Sequence, residues 1–286
     1  MNPRPGFGAI VEAPPLAALR CRLHDRLMEI VHRLPAPLAR DCADLLNRHG
    51  RVPGSPTGNA FVLFPPPVWS FLHWIPAARH RDAERVHAAA LLLHLWDDHL
   101  LDGQLPLTLA HVQLRTELWR ECTAGAERLC HTWGVDPVLA AGHTAAYLTA
   151  VHAAPRVDGP VGHRAGAGRE AALWALVPSL LTAPELPAVI RDFAVAWRLV
   201  DDAADVPEDA AAGARSAVWW ELAPADRVHW RPGAMGGETW CEGAVRRVLA
   251  EAARLLAAAQ ERAATAGLQG LAAELATAAA GVAVLT

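Results

Sequence analysis

The chain has 286 residues, 52% of them apolar, and a formal net charge of −4. With no basic block and no apolar run approaching about 18 residues, composition argues against a nucleic-acid partner and against a membrane-spanning helix. All 26 basic residues are arginine, so any anion site must be built from Arg, His or backbone amides.

Alanine and leucine dominate, isoleucine is rare and no stretch alternates at period two, so helix is expected nearly throughout. A first helix is predicted over 16–34. A second follows Pro37 and stops near Gly50, and 50–58 is a loop. After Pro65-Pro66-Pro67 comes a short apolar helix, "VWSFLHWI". Asp82 opens a long helix to about Asp102, which Gly103 ends. Further helices are predicted over 106–133, 136–154, 164–182 and 185–206. A loop-like segment at 229–243 reads as a lid exposing Trp230 and Trp240 to an interior cavity, and two Ala-rich helices close the sequence. Roughly ten to twelve helices without a fixed-period repeat read as one helical domain over 1–286. Five scattered cysteines (Cys21, Cys42, Cys122, Cys130 and Cys241) include no CxxC pair. They read as free thiols in a reducing cytoplasm, and the N-terminus lacks a signal-peptide hydrophobic region.

Two aspartate clusters interrupt this apolar pattern. "LLLHLWDDHLLDG" (91–103) carries Asp97, Asp98 and Asp102. "WRLVDDAADVPED" (197–209) carries Asp201, Asp202, Asp205 and Asp209. Residues four apart share a helix face, so Asp98 pairs with Asp102 and Asp201 with Asp205. Like charges at that spacing repel, burial raises the cost, and both clusters sit at helix C-terminal ends, where the dipole disfavours anions. A divalent cation reverses the balance. Hard carboxylate oxygens suit Mg²⁺, which shares its shell with water and substrate phosphates.

"RVHAAALLLHLWDDHLLDG" and "IRDFAVAWRLVDDAADV" resemble the two aspartate-rich regions of the isoprenoid synthase superfamily, which comprises class I terpene synthases and trans-prenyltransferases. The likeness covers roughly 79–216, and the second motif, DDxxD, is the more specific. The first motif is DDxxxD, which leaves open whether Asp97 or Asp98 joins Asp102 on the metal; helical geometry favours Asp98. The resemblance implies an all-α, single-domain antiparallel bundle around a central apolar cavity. Two aspartate-rich helix ends face each other across its mouth and hold about three Mg²⁺ ions. The metal set would draw on Asp97, Asp98, Asp102, Asp201, Asp202, Asp205 and Asp209, with Asp98 and Asp201 central to catalysis. Arg215 falls where the family has a lysine after the second motif. Arg156 and Arg169 match, with looser register, other diphosphate-contacting positions.

The implied chemistry is ionisation of a linear prenyl diphosphate to an allylic carbocation that is cyclised or deprotonated. Eleven tryptophans, among them Trp69, Trp74, Trp96, Trp174 and Trp197, offer packing or cation–π faces. Chain-elongating relatives bind a second diphosphate through arginines soon after the first motif, yet here the segment after the motif holds no arginine until Arg115. Upstream, only Arg79 and Arg81 resemble the family's basic pair. That shifts weight from elongation to a Mg²⁺-dependent terpene synthase using one prenyl diphosphate. A prenyltransferase or prenyl diphosphate synthase remains the alternative, and a non-catalytic helical binding protein of the same fold the third. A homodimer is left open. Glu84 and His87 form an ExxH, the ligand pair of di-iron bundles, but no second copy exists.

Overall fold

The computed structural model describes residues 13–50, 58–101, 103–153, 159–181, 183–231 and 240–284. Among them there is no strand. In chain order the helices are α1 (Pro14–Val31), α2 (Ala36–His49), α3 (Phe71–Trp74), α4 (Arg81–Leu101), α5 (Leu109–Arg120), α6 (Ala126–Trp133), α7 (Pro137–Ala153), α8 (Gly159–Glu170), α9 (Leu176–Ser179), α10 (Leu186–Ala204), α11 (Val206–Ala212), α12 (Ala217–Glu221), α13 (Glu242–Thr265) and α14 (Gln269–Ala283). The described residues gather into two compact units. One is 13–147 with Ala172–Pro187; the other is Leu148–Ala171 with 188–284.

In the first of these units, α1 opens on proline, tolerated where a helix has no N–H to satisfy. It buries Leu16, Leu19, Leu23, Leu27 and Ile30 at three- and four-residue spacing. The proline run at 65–67 cannot donate the bonds of an α-helix, so the segment before α3 folds as short 3₁₀ turns. The apolar run of α4 is buried on every side from Ala88 to Leu93, which makes it the central helix, packed by α1, α5 and α9. A π-helical turn, Glu121–Gly125, joins α5 to α6. Glycine is required there, because a Cβ on Gly125 would lie 2.6 Å from Val86 Cγ2 and 2.8 Å from Glu121 Oε1.

Buried charge in this unit is neutralised by arginine. Glu121 accepts bonds from Arg33 (2.8 Å), Arg85 (2.9 Å) and Arg128 (2.6 Å). Burial alone would raise the Glu121 pKa, but the guanidinium groups of Arg33 and Arg85 outweigh it and hold the carboxyl below its ordinary value. Glu84 is held by Arg22 and Arg26. His87 is fully buried with Nε2 2.7 Å from the Val68 carbonyl oxygen. Glu84 and His87 are therefore spent on packing contacts, and the ExxH is accounted for without a metal.

In the second unit, α13 and α14 form a helical hairpin turned by Gly267 at φ +77°, a left-handed conformation that favours glycine. Along α13, α12 packs, and α8 packs on α12. The helix expected over 164–182 is divided: α8 ends at Glu170, a turn occupies 171–175, and α9 follows. Pro178 is the physical reason, since its ring has no N–H to give and clashes with the carbonyl four residues back. Similarly, Pro207 ends α10 and restarts the chain as α11.

Candidate functional site

Asp97 and Asp98 of the first aspartate cluster lie in the last turn and a half of α4. Asp97 is buried and fully engaged. Arg115 meets it with both arms of its fork, Nε to Oδ1 at 2.5 Å and Nη2 to Oδ2 at 2.9 Å, and the Tyr147 hydroxyl donates to Oδ2 at 2.8 Å. Bidentate, charge-assisted bonds of this kind offset the helix-end penalty for an anion. One cause of the upward shift of the Tyr147 hydroxyl pKa is the Asp97 charge, after burial, the larger cause. Asp98 is half-buried on the neighbouring face of the helix. Asp102 lies outside the described residues. Gly103 then closes the helix at φ +69°, with the amides of Gln104 and Leu105 turning back to the His99 carbonyl.

The second cluster also has one fully buried member. Asp202 is buried, and its carboxylate accepts bonds from His163 Nε2 (2.7 Å), Arg198 Nε (3.1 Å) and the Ala217 amide (2.7 Å). Burial pushes its pKa up, but the Arg198 charge, the His163 bond and the amide prevail and hold it below the ordinary value. Asp201, Asp205 and Asp209 are half-buried. Despite the break at Pro207 they stay in helical register, because the Asp205 amide donates to the Asp201 carbonyl at 2.9 Å and the Asp209 amide to the Asp205 carbonyl at 2.8 Å. Burial lifts the Asp209 pKa to about 6. The Ser216 side chain opposes that rise, and the charges of Asp202 and Asp205 add to it.

Asp202 also anchors the segment that follows. Its bond to the Ala217 amide fixes the start of α12, and Trp230 Nε1 donates to the Ala214 carbonyl at 2.8 Å. Arg215 lies between these two pins. Its side chain is exposed and its guanidinium sits over the Trp219 ring, 4.7 Å from the centroid. Trp230 is itself buried and braces this segment. Residues 232–239 of the expected lid lie outside the described residues, as does Arg156. Arg169 is exposed in the last turn of α8. A small cleft beside the His163–Asp202 bond is lined by His163, Arg164, Leu199, Ala217, Glu221 and Glu251.

Every arginine that the sequence offers for a second diphosphate near the first motif has another commitment. Arg79 donates twice to the His73 carbonyl, at 2.9 and 2.6 Å. Arg81 meets Glu29 at 2.9 Å, and Arg115 is bound to Asp97. Three further tryptophans are core residues: Trp69, Trp96 and Trp174 are all buried.

Sequence reasoning missed His163, 39 residues from the carboxylate it holds, and it missed the role of Tyr147. One signal was available, since Arg198 and Asp202 stand four apart on one helix. The donor chemistry of the clusters fits magnesium, which takes hard oxygens and needs only one or two protein carboxylates per ion. Accordingly no preassembled cage is required, and none of three or more His, Cys, Asp or Glu side chains is found among the described residues. No protein-family model matches the chain, and no curated protein matches it.

Proposed function

We propose that the protein is a Mg²⁺-dependent class I terpene synthase that ionises a linear prenyl diphosphate. The observation that carries this reading is the series Asp201, Asp205 and Asp209, half-buried and held in one helical register across the junction of α10 and α11. Carboxylates on one helix face repel one another, and a divalent cation shared among them removes that cost. The first cluster adds Asp98, half-buried near the end of α4. In this reading Asp98, Asp201, Asp205 and Asp209 are the metal-holding carboxylates, with Asp102 and Arg156 assigned from the sequence. Bound Mg²⁺ would supply charge neutralisation of the diphosphate leaving group.

The chain's own residues do the rest. Asp97 fixes the end of α4 through Arg115 and Tyr147, and Asp202 fixes the end of α10 through His163 and the Ala217 amide. Arg215, presented from a pinned segment, offers a fork of donors to the diphosphate. The reading carries with it an antiparallel bundle whose apolar cavity excludes water from the carbocation. Commitment of Arg79, Arg81 and Arg115 to protein partners favours one diphosphate substrate over two.

The all-carboxylate series at 201, 205 and 209 is the feature that favours the prenyltransferase alternative, and one experiment separates the two. The protein is incubated with Mg²⁺ and geranyl, farnesyl or geranylgeranyl diphosphate, with and without isopentenyl diphosphate. Hydrocarbon or alcohol formed without the co-substrate is the expected result. Product formed only with the co-substrate would move the protein to chain elongation, and no diphosphate release with any substrate would remove both.

A further inference from the structure

Residues 103–108 connect α4 to α5 and have no part in the reading above. We propose that this connection is a membrane-docking loop: Leu101, Leu107, Leu109 and Val112, with Pro106 between them, enter the headgroup–acyl boundary of a bilayer. The inference needs neither metal nor substrate and stands apart from the proposed reaction.

Leu107 is 80% exposed, Leu109 75% and Leu101 62%, and Val112 is exposed as well. Single exposed leucines are ordinary, but here four large apolar side chains project at the shared end of the packed α4–α5 pair. Leu109 and Val112, three residues apart, share one face of the first turn of α5. The stretch 103–112 holds no Asp, Glu or Arg, and its one histidine, His111, is buried. Gly103, Gln104, Pro106 and Thr108 are exposed and uncharged too. No side chain of this stretch has to shed a charge before it enters an apolar phase.

The loop is also tied down. The Gln104 and Leu105 amides donate to the His99 carbonyl at 2.9 and 3.1 Å, and the Thr108 amide donates to the Pro106 carbonyl at 2.9 Å. The Thr108 side chain caps α5 at the His111 amide, and Trp96 Nε1 donates to the His111 carbonyl at 3.3 Å. A chain that orders its backbone while turning leucines outward forgoes apolar burial that an outside phase can supply. The size of the patch decides which phase. A standard protein interface takes about 20–30 residues a side, and this patch offers five apolar side chains with Gly103, Gln104 and Thr108 around them. A bilayer needs no matching surface, and projecting leucines enter it by their apolar area alone. No helix among the described residues is long and apolar enough to cross a membrane, so the contact is peripheral.

The test is flotation of the full chain with phosphatidylcholine vesicles in EDTA, with no prenyl diphosphate present. The protein is expected to rise with the vesicles, and to do so equally at about 1 M salt, where the screening length falls to about 3 Å. The double variant Leu107→Ser, Leu109→Ser should lower the partition about ten-fold or more while helical circular dichroism is unchanged. If that variant does not fold, Leu107→Ser alone should still lower it several-fold. Val138→Ser, at a side chain 71% exposed on α7, should leave the partition as it is in the parent. No flotation, binding abolished by salt, unchanged binding in whichever loop variant folds, or an equal loss with Val138→Ser would overturn the proposal. A parent that is dimeric by light scattering and becomes monomeric in the double variant would also overturn it, in favour of a protein partner.

Discussion

Replacing Asp97 or Asp98 by Asn separates a strut from a proposed metal ligand, although the two residues are adjacent. Asp97 accepts two bonds from Arg115 and one from Tyr147 in a buried setting. Hydrogen bonds to a charged group contribute about 1.5–3 kcal/mol each, and removing one partner of a buried ion pair costs about 3–5 kcal/mol. The Arg115 side chain keeps 36% exposure, so water can resolvate part of its charge and the lower range applies. Asp97→Asn should therefore cost about 2–3 kcal/mol. At about 2–4 °C per kcal/mol for a chain of this size, the melting temperature falls by roughly 5–10 °C. Asp98, half-buried, should cost less than about 1 kcal/mol as Asn. Thermal denaturation followed by circular dichroism at 222 nm, the helical band, measures both. An unchanged melting temperature for Asp97→Asn, or an equal loss for Asp98→Asn, would refute the assignment of the two roles.

Other consequences follow from buried groups. Burial drives the His87 pKa down to about 4, against a partial upward pull from its bond to Val68. A depressed histidine pKa stabilises the fold above the unfolded value of about 6.5, and that stability is lost as pH falls towards 4. The unfolding free energy from urea titrations should fall between pH 7 and pH 4 by an amount approaching about 3 kcal/mol; an NMR titration placing His87 near 6.5 would contradict this. Gly125→Ala puts a Cβ 2.6 Å from Val86 Cγ2 and should destabilise by about 1–3 kcal/mol in the same denaturation assay. Asp202→Asn weakens the pin on Ala217, so limited proteolysis should cut within 213–230 faster than in the parent; equal rates would show that Asp202 does not hold that segment.

Most helices were legible because their signals are local. Prolines open α1 and α2, a Thr108 side chain caps α5 at the His111 amide, and glycines close helices at Gly103 and Gly134. The division of 164–182 was legible in principle at Pro178, but the apolar content on either side hid it. The short helices α11 and α12 were missed because each is under two turns or near it, too brief for periodicity to register. Spacing singled out both aspartate clusters, yet could not say which member of each pair turns inward. That choice depends on partners remote in sequence: Arg115 and Tyr147 for Asp97, His163 and Ala217 for Asp202. Likewise, the pins that hold Arg215 come from Trp230 and Asp202, a contact pattern with no fixed spacing to read.

Asp98 and Asp201 are proposed to hold the metal that triggers diphosphate loss. The most direct measurement is Mg²⁺-dependent diphosphate release from a prenyl diphosphate by the parent protein, Asp98→Asn and Asp201→Asn. The parent should release diphosphate only with Mg²⁺, and both variants should be silent with their helical circular dichroism intact. Near-full release by either variant, or release by the parent in EDTA, would contradict the account.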